Sequence, residues 1–142
     1  MISKDRIRDK LQFIRTSLKD LESIAEVPES EFVANTILFY AATRILQISI
    51  EASLDIAQHI VARKQLGTPK TYREAILLLE GAGIIPPEQV PHLVNMTRFR
   101  NRVVHMYDEV SREEVYRIAT QHLTDFDRYM ESIVRFAWAD DD

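Results

Sequence analysis

The sequence contains no cysteine. That excludes disulfides, thiolate metal sites and cysteine nucleophiles together, and it fits a reducing compartment. Glycine and proline are scarce, at three and five residues, too few for the many tight turns of a β-rich fold. No apolar run approaches the roughly 18 residues of a membrane span, because Arg, Gln, Glu or Asp interrupts each one. The opening MISKDRIRDK has no apolar signal core. A basic balance is missing as well: the net charge is −4, which gives no general grip on nucleic acid. What remains is one cytoplasmic domain spanning 1–142, long enough to bury a core.

What is present is helical periodicity. Ile7, Leu11, Ile14, Leu18 and Leu21 step by 4, 3, 4, 3, one stripe of an amphipathic helix with Ser3 as N-cap. From about Ser30 to Leu66 there is neither Gly nor Pro, which predicts a helix about 50 Å long. Its apolar residues surround most of the wheel, so a bundle or a partner subunit must cover it. One polar stripe survives on it: Tyr40, Arg44, Gln47, Glu51, Asp55 and Gln58.

Gly67 and Pro69 break the chain, and Thr71 with Glu74 forms a capping box for a short helix closed by Gly81 and Gly83. A fourth helix starts near Pro86, Pro87 and Pro91. Ser111 with Glu114 opens a last helix through about Trp138, with His122 on its apolar stripe as a hydrogen-bonded core residue. Asp140, Asp141 and Asp142 form a solvated acidic tail. The fold class is therefore all-α: an up-and-down bundle of four main helices plus a short one.

The densest cluster of chemistry-bearing side chains is Arg98, Arg100, Asn101, Arg102, His105, Tyr107 and Asp108. Three arginines within five positions make this segment locally +3. Arg100 and His105 lie about 140° apart on a continuous helix. They meet on one ligand only if the helix ends near His105 or a symmetry mate completes the site. The same residues also fit a helix C-terminus decorated with cations, which the macrodipole favours. Glu51 and Asp55, at i and i+4, share a face. They can pair with Arg98, Arg100 or Arg102, and a metal site is the alternative. His59, His92 and His122 have no mutual metal-ligand spacing, and neither metal nor cofactor is implied.

The string RNRVVHMY, Arg100 to Tyr107, resembles the R-x4-H-x-Y motif of HepT-like toxins in the HEPN ribonuclease superfamily. YAATRILQISIEASLDIAQHI, Tyr40 to Ile60, is similar to the long helix of that family, and TYRE opens the short helix as it does there. The resemblance covers nearly the whole chain. It implies a homodimer whose motifs meet in a cleft that cuts RNA without a metal. It also implies a neighbouring MntA-like nucleotidyltransferase antitoxin, in a type VII toxin–antitoxin system, that transfers AMP to the motif tyrosine. By position, the catalytic pair is then Arg100 and His105, the modified residue is Tyr107, and Asn101 follows the family habit. The chemistry suits the residue types: a histidine exchanges protons near neutral pH, and an arginine holds phosphate oxygens bidentately. Two other classes stay open: an idle helical module that binds a nucleotidyltransferase or a nucleotide, and a purely structural dimeric bundle.

Overall fold

The computed structural model describes residues 2–139. Among them are seven α-helices and no strand: α1 (Lys4–Ala25), α2 (Glu29–Ala34), α3 (Thr36–Arg63), α4 (Tyr72–Gly81), α5 (Val90–His105), α6 (Arg112–Gln121) and α7 (Leu123–Ala137). Two 3₁₀ turns, Pro87–Gln89 and Tyr107–Glu109, precede and follow α5. The acidic tail Asp140 to Asp142 lies outside the described residues.

The α1 stripe is buried as its spacing requires: Ile7, Leu11, Ile14, Leu18 and Leu21 all face the core, and α1 makes its most extensive contact with α3. Burying each such side chain contributes about 1.5–3 kcal/mol. Ser3 caps α1, its Oγ accepting from Arg6 N–H at 3.2 Å.

The long second helix is broken once. Asn35 adopts extended backbone and caps α3, its Oδ1 accepting from Leu38 N–H at 3.0 Å. Asparagine competes for the backbone hydrogen bonds in this way, so the sequence needs no Gly or Pro to stop α2. Arg112 of α6 fastens the break, donating to Val33 O at 2.8 Å and Thr36 Oγ1 at 3.0 Å. At its other end α3 stops at Arg63, and Gln65 takes the left-handed position (φ 54°), two residues before Gly67. Helix α4 ends in a Schellman turn: Gly83 is left-handed (φ 75°), and Ile84 N–H bonds to Leu79 O at 3.0 Å.

By length and composition α3 is the one described helix able to cross a membrane. It is instead the core helix of the bundle from Leu46 to Val61, where Leu46, Ile50, Leu54, Ile56 and Ile60 are all buried. Its first half is less covered: Ile37 is 79% exposed and Tyr40 65%.

The last helix is also split, at His122, which stands at the N-cap position of α7 without a side-chain bond to the helix. His122 is not a core residue. Its side chain is about half exposed and faces Asp125, with Nδ1 3.6 Å from Oδ2. The turn at His122 rotates it off the apolar stripe of α6. Tyr129 of α7 is fully buried, and its hydroxyl donates to Ser53 O at 2.7 Å. Burial raises its phenol above the usual value.

Candidate active site

Helix α5 positions the motif. It packs against α3 and α4 on one side, and Arg102 at its far end bonds to α6. Arg100 projects toward α3. Its Nε donates to Glu51 Oε2 at 2.9 Å, and Gln47 Nε2 lies 3.4 Å from the same oxygen. Its guanidinium sits over the Tyr72 ring at 5.6 Å. Its Nη1 donates to Asn101 Oδ1 at 3.3 Å. The planar, permanently charged group is thus fixed from three directions, by ion pair, ring face and neighbouring amide. The Arg100 and Glu51 side chains are 20% and 29% exposed, so the pair borders solvent rather than lying in the interior.

Arg102 turns the other way and forms a bidentate pair with Glu114 of α6, at 2.9 and 2.6 Å. That hydrogen bonding, followed by the charge of Glu114, holds its pKa above the usual value. Ser111 Oγ accepts from Glu114 N–H at 3.0 Å, so the expected cap at the start of α6 is present, but the Glu114 carboxylate serves Arg102. The Thr71 cap of α4 is present too, with Oγ1 3.1 Å from Glu74 N.

Asp55 pairs with Lys10 of α1 at 3.2 Å, not with an arginine of α5. One α-helical turn separates it from Glu51, enough to place it opposite α1. The two carboxylates therefore serve different neighbours. Among the described residues, no group of three His, Asp or Glu side chains could hold a metal ion.

With Glu51 on Arg100 and Glu114 on Arg102, the local +3 of the sequence reduces to Arg98, which has no ion pair among the described residues. Arg98 is exposed.

His105 is the last residue of α5 and is exposed. Since α5 stays helical through it, Arg100 and His105 diverge by about 140° within one chain. The flanking Val104 and Met106 are both exposed apolar residues. Tyr107 begins the 3₁₀ turn directly after the helix; its side chain lies outside the described residues.

Tyr72, Gln47 and Glu114 are site neighbours that sequence reasoning did not assign. Tyr72 stood inside the TYRE string, and Glu114 inside the capping box. Away from these, His92 of α5 stands 3.6 Å from Asp125 of α7. The sequence set His92 aside as a metal ligand and gave no sign of Asp125, because α5 and α7 meet only through tertiary packing.

A family model for ribonuclease HepT-like proteins matches residues 14–133. The chain is 30% identical over 129 residues to an mRNA nuclease HepT of Shewanella oneidensis, covering 91% of this chain and 96% of that protein. It is 25% identical over 127 residues to a tRNA nuclease HepT of Aphanizomenon flos-aquae, covering 89% and 86%. The solved structure of a tri-AMPylated Shewanella oneidensis HEPN toxin in complex with MNT antitoxin superposes with a TM-score of 0.85 at 30% identity, covering 92% of this chain and 98% of that one. Matching nearly end to end in both sequence and fold, with the arginine-to-tyrosine segment in place at the end of α5, the chain belongs to the ribonuclease HepT-like family.

Proposed function

We propose that this chain is an endoribonuclease, the toxin of a toxin–antitoxin pair, working as one HEPN unit over residues 1–142. The observation that carries the reading is an arginine oriented by Glu51 and Tyr72 on the same helix that ends in an exposed histidine. Relatives that are mRNA and tRNA nucleases support RNA as the substrate.

The active form is a two-fold homodimer. Arg100 and His105 diverge on α5, so the working pair comes from two chains, Arg100 of one and His105 of the other. Exposed Ile37, Tyr40, Val104 and Met106 supply apolar surface for a second copy to cover.

Cleavage proceeds without a metal. A 2′-OH of the RNA attacks the adjacent phosphorus, and the bond from phosphorus to the 5′ oxygen breaks. His105 accepts the 2′ proton as the nucleophile attacks and returns a proton to the departing 5′ oxygen, leaving a 2′,3′-cyclic phosphate and a 5′-OH. Arg100 neutralises the charge building on the phosphoryl oxygens. Asn101 supports Arg100, while Arg98 and Arg102 flank the path of the RNA. Asp55 and Lys10 brace α3 against α1.

The antitoxin is an MntA-like nucleotidyltransferase that transfers AMP to Tyr107. The bulk and phosphate charge so added lie beside Arg100 and His105 and compete for the cations that hold RNA.

The test is cleavage of cellular RNA by the purified protein in EDTA. Arg100→Ala and His105→Ala should each lower the rate by at least about 10²-fold, with helicity and solution mass unchanged. Full activity in both variants, or activity that chelation removes and a divalent ion restores, would overturn the reading.

A further inference from the structure

A second face of α5 carries a cleft of about 440 Å³, closed by α6 and the first turn of α7. This is the size range of small-ligand sites. Its apolar part includes Met96 and Ile118, with Phe99 and Phe126 buried behind them. Its polar part is cationic. Arg102 and Glu114 cancel each other, but Arg98 and Arg117, which also line the cleft, have no ion pair among the described residues. Both are exposed, and a guanidinium is a planar donor suited to phosphate.

At one end sits Asp125, its side chain only 11% exposed. Nδ1 of His92 and Nδ1 of His122 each stand 3.6 Å from its Oδ2, beyond hydrogen-bond length. The carboxylate thus keeps acceptor capacity for a ligand N–H. A ligand for this cleft needs a flat apolar body, an N–H edge and an anionic group.

We propose that the cleft binds one nucleoside monophosphate unit. The base lies over Met96 and Ile118 with an exocyclic amine on Asp125, and the phosphate lies on Arg98 and Arg117. A base with an exocyclic amine satisfies Asp125, whereas uracil lacks that amine and offers only its N3–H, flanked on both sides by carbonyl oxygens that the carboxylate repels. Adenine, cytosine or guanine is therefore preferred.

The source of the nucleotide rests on the ribonuclease reading. Arg98, Arg102 and His105, spaced 4 and 3, form one stripe of α5. Arg98 and His105 differ by only about 20° around the axis and about 10 Å along it. A nucleotide in the cleft is then a neighbour of the cut in a bound RNA strand, and the cleft contributes base preference to cleavage. A free mononucleotide is the other source with the same chemistry.

The experiment uses the full-length chain carrying His105→Ala, which holds RNA without cutting it. Labelled oligoadenylate and oligouridylate, and separately AMP and UMP, are titrated against it and against the same chain with Arg98→Gln and Arg117→Gln. Neither arginine holds a structural pair, so the melting temperature should not move.

Oligoadenylate should bind more tightly than oligouridylate and weaken at least about tenfold in the double variant, with a salt dependence shallower by about two charges. AMP binding that is lost in the double variant while oligoadenylate binding is unaffected would support the cleft with free nucleotide as its occupant. Unchanged binding of both would overturn the proposal, even if the wild-type chain cuts RNA. If the wild-type chain cuts no RNA while AMP binding still requires Arg98 and Arg117, the ribonuclease reading fails and the site stands.

Discussion

Arg100 meets Glu51 through its Nε, at 2.9 Å, and its Nη2 makes no hydrogen bond among the described residues. The ion pair thus orients the guanidinium without consuming the edge that a phosphate would use. Both partners are partly exposed, between the surface and the buried case, so removing Glu51 should cost about 1–3 kcal/mol. Glu51→Ala should lower the melting temperature by several degrees, at roughly 2–4 °C per kcal/mol for a chain of this size. RNA cleavage should fall with it, and Glu51→Gln should be milder in both. A melting temperature that does not move would show that the pair contributes nothing to the fold.

The divergence of Arg100 and His105 on α5 makes the composite site testable by mixing. Arg100→Ala and His105→Ala chains, each inactive alone, should recover part of the cleavage when refolded together, because one cleft then holds an intact pair across the two-fold axis. Ile37→Glu should abolish this recovery and halve the solution mass, since Ile37 is 79% exposed in the single chain. Two inactive variants that stay inactive in a mixture of proven heterodimers would place the pair within one chain.

Co-expression with the nucleotidyltransferase should add one or more AMP masses to Tyr107 and end cleavage. Tyr107→Phe should keep its unmodified mass beside an active antitoxin, and any cleavage it retains should continue there. An unmodified wild-type chain that is nonetheless silenced would point to inhibition by binding alone.

His59 ties the start of α1 to α3, its Nε2 accepting from Ser3 N–H at 3.0 Å. Burial chiefly, then the charges of Arg6 and Arg63, hold its imidazole below the usual 6.5. As pH falls below about 6.5 the unfolded chain protonates first. It then binds more protons than the folded chain, so stability falls with pH. The contribution of neutral His59 is complete above 6.5 and is lost as pH drops through the lower folded value. His59→Gln keeps an acceptor but does not titrate, so its melting temperature should decline less between pH 7 and pH 5. Parallel declines would remove His59 as the cause.

How legible this was depends on the range of each signal. The α1 stripe and the three N-caps at Ser3, Thr71 and Ser111 could be read from spacing, since each rests on helical periodicity or on residues close in sequence. Spacing put Glu51 and Asp55 on one face and three arginines within reach, but the choice of Glu51 with Arg100 is made by packing across 49 positions. The breaks at Asn35 and His122 could not. Neither carries Gly or Pro, and Asn35 is fastened by Arg112, 77 positions away and visible only once α6 folds back. The partners of Asp55 and Arg102 were misjudged for a similar reason. Lys10 and Arg102 each take the carboxylate that the packing brings nearest, Asp55 and Glu114. The motif was legible as a string, but which residues flank it in space was not.

The Arg102–Glu114 clamp has a consequence for how the motif is presented. It joins the last turn of α5 to the first turn of α6, so the intervening stretch with His105 and Tyr107 is an arch pinned at both feet. A pinned arch offers its crown to a visiting enzyme without first coming loose from the bundle. On the function proposed above, antitoxin and RNA would compete for one preset outline, and whichever arrives first leaves the other no alternative shape to seize.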